Sequence, residues 1–227
     1  MPDGPFSNPI HGPRIVCVTG NVASGKSTLT ALLARAFPGA TSAPEPHTEN
    51  PFLALYLQDR ARWGFTAQLH YFYGYLKAYR EALGRGEPSW VFVDAGIWTN
   101  QYIYGRYLHD HNLMTTDEYS FFETLCQELR QTTIAPEPHA YIFLHLSPEK
   151  CFERMTRRAW AYQTNAIELA YLQGLGEYFA QMQAEVNRET PTLTLDSAAI
   201  NITLLEGRAT ALSVVEGFFR RHQLLDS

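Results

Sequence analysis

The chain has 227 residues and a formal net charge of −5, with 45% hydrophobic, 13% aromatic and 18% charged residues. That apolar share with so few charges excludes a disordered chain, and mild acidity argues against non-specific capture of nucleic acid or anionic lipid. The basic set is lopsided, fifteen Arg against only Lys26, Lys77 and Lys150, so a lysine kept within that bias merits inspection.

Residues 1–13 carry four prolines and no basic-then-apolar leader, which reads as a flexible tail before one domain over residues 14–227. Cys17, Cys126 and Cys151 form no CxxC pair, so neither a disulfide framework nor a cysteine zinc site is suggested. No apolar run reaches the length of a membrane span. A cytoplasmic protein with no membrane partner and no nucleic-acid partner is the expectation.

In chain order, Arg14–Val18 is a short β-branched run that opens a βα unit, and Lys26–Phe37 has helical spacing stopped by Pro38-Gly39. A short strand is expected at Ala40–Ala43, then helices over Asn50–Gln58 and the aromatic-rich Ala61–Arg85. Trp90–Asp94, Tyr141–Leu146 and Thr192–Leu195 read as further strands. Helices fall around Asn100–His111, Thr116–Gln131, Pro148–Arg158, Glu168–Arg188 and Ile202–Arg221. Strands alternating with helices predict an α/β fold, a mostly parallel sheet covered on both faces. In such sheets the chemistry lies at the carboxyl ends of the strands.

Directly after the first strand, Gly20-Asn21-Val22-Ala23-Ser24-Gly25-Lys26-Ser27 fits G-x-x-x-x-G-K-[ST] in full, with Thr28 continuing into the helix. Glycines let successive backbone N–H groups turn inward onto phosphate oxygens, and the helix adds its positive end. Lys26 is placed to reach the β- and γ-phosphates and the Ser27 hydroxyl to ligate Mg²⁺. The strand before and helix after are the context this mechanism needs, so the loop predicts nucleoside triphosphate binding. No Asn-Lys-x-Asp guanine reader and no LSGGQ-like segment follows, and no basic stripe suits a helicase. A small-molecule phosphotransferase remains. Glu45, held between Pro44 and Pro46 after the second strand, is either a solvated loop glutamate or a carboxylate placed to accept a proton from an attacking hydroxyl.

Glu45-Pro46 is followed by Asn50-Pro51-Phe52-Leu53, Asp59, Arg62-Trp63-x-Phe65 and Gln68. Asp94, Tyr102-Ile103-Tyr104, Leu146-Ser147-Pro148-Glu149, Cys151-Phe152-Glu153-Arg154 and Leu195-Asp196 come later in the same order. In these motifs the chain resembles the deoxynucleoside kinase family, particularly its bacterial deoxyadenosine/deoxyguanosine kinase branch, from about Arg14 to Asp196. The resemblance implies a five-stranded parallel sheet with a short arginine-containing lid, ATP and Mg²⁺ as cofactors, and transfer to the 5′-hydroxyl of a deoxynucleoside, a purine slightly favoured. It implies Glu45 as general base and Arg154 and Arg158 as lid arginines. Gln68, Asn100, Tyr104 and Gln163 would be the nucleoside contacts, and Asp94 would join Ser27 at the metal. It also implies a homodimer, or a heterodimer with a related kinase.

Four departures stand out. Ala95 occupies the place of an arginine that normally follows the acid, with Arg157 and Arg106 as candidate substitutes. Trp160 and Gln163 stand in the lid for Arg and Glu, Asn100 and Tyr75 replace residues that some relatives use to read the base, and His47 replaces a valine. These losses keep open a catalytically weak nucleotide-binding subunit and, less favoured, a nucleoside monophosphate kinase.

Overall fold

Each expected strand is present in the computed structural model, which describes residues 12–47, 49–130, 137–158 and 167–225, the side chain of Arg130 excepted. The strands are β1 (Arg14–Gly20), β2 (Ala40–Ala43), β3 (Trp90–Asp94), β4 (Ala140–His145) and β5 (Thr192–Asp196). They form one sheet in the order β2-β3-β1-β4-β5, every pair parallel. β1 runs two residues beyond the apolar run because Thr19 and Gly20 pair with Phe143 and Leu144 of β4.

Period-two alternation divides the core into two layers. Ile15, Cys17, Val91, Val93, Tyr141 and Phe143 point to one face of the sheet, and Val16, Val18, Phe92, Ile142 and Leu144 to the other. The second face is covered by α1 (Lys26–Ala36) and α9 (Leu205–Arg221). There Phe37, Trp90 and Phe219 form an aromatic knot with ring centroids 4.9–5.5 Å apart, an arrangement worth more than its buried area alone. The first face carries the remaining helices: α2 (Leu53–Gln58), α3 (Arg60–Leu83), α4 (Gly96–Thr99), α5 (Arg106–Asp110), α6 (Thr116–Arg130), α7 (Pro148–Arg158) and α8 (Leu169–Val186). α3 starts where the Asp59 carboxylate accepts a hydrogen bond from the Arg62 amide at 3.0 Å, a cap worth about 1 kcal/mol.

Two departures from regular geometry lie beside the strand ends. α4 runs into α5 through a π-helical stretch, Asn100–Gly105, where a uniform α-helix is expected from the sequence. Widened turns of this kind concentrate at functional sites. β3 ends in the turn Ala95-Gly96, both at positive φ (65° and 76°). For alanine that conformation costs on the order of 1–3 kcal/mol. It is held because the Ala95 carbonyl accepts from Thr99 Oγ1 at 2.5 Å and from Cys17 Sγ at 2.9 Å, while its amide donates to Val18. No described helix is long and apolar enough to cross a membrane.

Candidate functional site

The ends of β1, β2 and β3 open onto one cavity, and the loop after β1 forms its floor. Gly20 lets that loop leave the sheet: a Cβ there would lie 2.6 Å from the Leu144 carbonyl. Gly25 takes φ 107° at the start of α1, so the amides ahead of the helix can turn inward. Lys26 is buried and folds back to donate to the Asn21 carbonyl at 3.2 Å. Val22, Ala23, Gly25, Lys26, Ser27 and Thr28 line the cavity. Asn21 has a different task from the one its place in the loop suggests. Its amide donates to the Leu172 carbonyl at 2.8 Å and accepts from the Val22 amide, tying the loop to α8.

The opposite wall is built by the turn after β2 and by α3. Pro46 packs onto α3 at Gly74, where a Cβ would come within 2.6 Å of the proline ring. The absence of a side chain there seats the Glu45-Pro46 turn against the helix. Glu45 and His47 both line the cavity, and the His47 ring meets the Glu45 carbonyl at 3.2 Å through Nδ1. A carbonyl only accepts, so Nδ1 carries the proton.

Gln68, Tyr71 and Tyr75 of α3 continue this wall, and Asn100 and Tyr104 of the π-helical stretch close the far end. Asn100 donates to the Gln68 carbonyl at 3.2 Å, which registers the two amides against each other. The Gln68 side chain is 1% exposed, and its Oε1 has no protein partner. A buried amide oxygen without a partner costs free energy, which a donating ligand in the cavity that Gln68 lines would recover. Tyr56 and Tyr171, whose hydroxyls meet at 2.9 Å, line the side of the cavity. Burial is the main cause that raises the phenols of Tyr56, Tyr75, Tyr104 and Tyr171 above their usual range, so these walls stay neutral.

Asp94 lies behind the floor, 3% exposed, with Oδ1 lacking a partner. Burial, then the Glu45 carboxylate, push its pKa up to about 6, while Lys26, a hydrogen bond with Ser27, and His47 pull the other way. An orphaned carboxylate oxygen beside a serine hydroxyl is an all-oxygen donor set of the type that suits Mg²⁺. Among the described residues no three His, Cys, Asp or Glu side chains cluster around a metal. Such a site therefore relies on phosphate oxygens and water for its remaining ligands.

The arginines of α7 separate. Arg158 reaches the first cavity. Arg154 is instead fastened to the Ser197 carbonyl at 2.7 Å and points to that of Ser24 at 3.5 Å. It borders a second cavity with Arg157, Thr28, Asn201 and Thr203. Gln163 lies outside the described residues. Neither candidate for the arginine missing at Ala95 lines the first cavity: Arg157 lines the second, and Arg106 is bound to Glu185 at 3.1 Å. The tyrosine walls have a sequence signal in the aromatic richness of α3. Tyr171 falls in a stretch, Ile167-x-Leu169-x-Tyr171-Leu172, that also matches the family resemblance, whereas Tyr56 has no signal of its own, because a buried tyrosine reads as core.

The chain matches the deoxynucleoside kinase family over residues 16–213. It is 25% identical to a probable deoxycytidine kinase of Fowlpox virus, over 76% of this chain and 72% of that protein. It is 29% identical to the deoxyadenosine/deoxycytidine kinase of Bacillus subtilis, over 65% and 68% of the two chains. A solved structure of deoxyadenosine kinase from M. mycoides superposes with a TM-score of 0.73 at 16% identity, covering 89% of this chain and 99% of that one.

Proposed function

The chain belongs to the deoxynucleoside kinase family, and from that premise we propose that it transfers the γ-phosphoryl group of ATP to the 5′-hydroxyl of a deoxynucleoside. One observation carries the reading: the phosphate loop with Lys26, the turn carboxylate Glu45 and the buried amide Gln68 line a single cavity. A phosphate binder, a proton acceptor and a base reader therefore face the same space.

The roles follow from position. The loop amides and Lys26 hold the β- and γ-phosphates, and the second cavity, beside Arg154 and Thr28, takes the rest of the donor. Gln68 presents donor and acceptor to the edge of the nucleobase, Asn100 stands beside it, and Tyr104 supplies an aromatic face. With the base at that end, the sugar lies along Tyr56 and Tyr171 and its 5′-hydroxyl comes to Glu45. Glu45 takes the hydroxyl proton as the oxygen bonds to the γ-phosphorus and the bridging P–O bond breaks, releasing ADP. Arg158 and Lys26 stabilise the charge that spreads over the transferring oxygens. Ser27 and Asp94 would hold Mg²⁺, which when bound neutralises the phosphates further.

Purified protein with Mg-ATP and separate deoxynucleosides and their monophosphates tests the assignment. Conversion of a nucleoside to its 5′-monophosphate, lost in Lys26→Ala, is the expected result. No product from any nucleoside, or turnover of monophosphates alone, overturns it. A second reading, a nucleotide-binding subunit of weak activity, draws on Ala95, whose methyl group brings no charge to the reacting end. Wild-type turnover on the order of 1 s⁻¹, the low end for kinases, excludes that reading.

A further inference from the structure

A direct transfer needs two parts of the molecule to keep a fixed separation: the phosphate loop after β1, and the helix wall along which the acceptor lies. A misplacement of about 1 Å between reacting groups costs on the order of 10²-fold in rate. The loop and that wall come from distant parts of the chain, since Asn21 and Leu172 are 151 residues apart. Something must hold one to the other.

Asn21 joins them. It is buried, and its Nδ2 donates to the Leu172 carbonyl of α8 at 2.8 Å while its Oδ1 accepts from the Val22 amide at 2.8 Å. A carbonyl only accepts and an amide N–H only donates, so both ends of the side chain are specified. The Asn21 backbone carbonyl accepts from the Lys26 ammonium at 3.2 Å and from the Ser24 amide at 3.1 Å. On the other side, Leu172 is buried, and its neighbour Tyr171 lines the cavity with its hydroxyl on that of Tyr56. One residue of the loop therefore touches both the phosphate lysine and the helical turn that carries the acceptor wall. The contact from α7 to the same loop, Arg154 to the Ser24 carbonyl, is longer at 3.5 Å and borders the second cavity.

We propose that Asn21 is a positioning residue: its bond to Leu172 sets the distance between the phosphate loop and the Tyr56–Tyr171 wall, and with it the approach of the 5′-hydroxyl to the γ-phosphorus. It rests on the kinase reading above. Asn21 makes and breaks no covalent bond; the 5′-hydroxyl proton goes to Glu45, and ADP carries away the electrons of the broken P–O bond. Lys26 can exchange the Asn21 carbonyl for a phosphate oxygen while the side chain keeps the loop fastened to α8.

The test separates the tie to α8 from the local shape of the loop. Asn21→Ser keeps an oxygen beside the Val22 amide but is too short to reach Leu172, and Asn21→Ala removes both bonds. Steady-state kinetics with Mg-ATP and the best deoxynucleoside should show kcat about tenfold or more lower in both variants. Both KM values should stay within about threefold of wild type, and the stoichiometry of ATP binding, read by equilibrium titration, should be unchanged. Wild-type kcat in Asn21→Ser overturns the proposal while leaving the kinase reading intact. So does a raised KM for ATP at unchanged kcat, which would make Asn21 a shaper of the donor loop alone. A fall in kcat matched by a fall in binding stoichiometry also overturns it, because only folding would then be at stake. No turnover of any nucleoside by the wild-type protein overturns the kinase reading, and this inference with it.

Discussion

The donor side and the acceptor side of the cavity are built on different principles. The donor side of the proposed reaction is a contiguous loop shaped by its backbone: Gly20 and Gly25 take conformations that turn the amides ahead of α1 inward, and one basic side chain, Lys26, lines the cavity beside them. The acceptor side is assembled from β2, α3, the π-helical stretch and α8, and its chemistry is entirely side chain. A loop defined by its backbone conserves its geometry as a short motif. A wall assembled from distant segments carries no such short motif.

The largest expected effects fall where both sides meet the phosphate. Glu45→Gln should lower kcat by roughly 10²–10⁴ while ATP affinity, read by equilibrium titration, stays near wild type. Equal losses in both would move Glu45 from proton acceptor to donor-side binder and erase the distinction between the two sides. Lys26→Ala should lower kcat by roughly 10²–10³, the scale of losing one preorganised donor, with ATP binding weakened as well.

Gln68→Ala comes next. It removes the amide from the base end, and kcat/KM for the nucleoside should fall by roughly 10- to 100-fold, on the scale of about 1–3 kcal/mol for a buried hydrogen-bonding group. KM for ATP should not move. A change in ATP affinity would show that the two halves of the cavity communicate through α3.

Asp94, at the seam, gives a pH signature. Its folded pKa is raised to about 6 from 3.8, so the folded chain binds the extra proton between these values. Stability from this group is therefore present at low pH and lost as pH rises through about 4 to 6, by on the order of 2–3 kcal/mol at most. In metal-free buffer, Tm of Asp94→Asn minus Tm of wild type should grow by several degrees from pH 4 to pH 7. A difference that is flat or shrinks over that range contradicts the burial-driven shift. The smallest effect belongs to Tyr56→Phe, which unpairs the Tyr171 hydroxyl. It should lower stability by about 0.5–1.5 kcal/mol, read in a denaturant melt, with the donor side unaffected.

The same contrast explains what was legible before the structure. The phosphate loop could be read whole because its eight positions are adjacent and backbone geometry dictates the glycines. The sheet could be read because buried parallel strands are short apolar runs, and their ends shifted only by a residue or two where ladder pairing extended them. Glu45 was legible through the prolines that flank it. The seating of its turn was not, because it depends on Gly74, a glycine in the middle of a helix that reads locally as a weakness. Tyr56 and Tyr171 are 115 residues apart and meet only in the folded chain. The π-helical stretch carries no composition of its own. Arg154 shows the opposite limit: its motif was clear, but its guanidinium is held at Ser197 and the second cavity rather than at the first.

On the proposed reading, the two sides of the cavity act together on a 5′-hydroxyl. Incubation with γ-labelled Mg-ATP, a deoxynucleoside and, in parallel, the same nucleoside lacking its 5′-hydroxyl tests it most directly. Label should move to the 5′-position of the first, the second should compete without being labelled, and Glu45→Gln should bind both while transferring to neither. Label at any other position, or transfer that persists undiminished in Glu45→Gln, would contradict it.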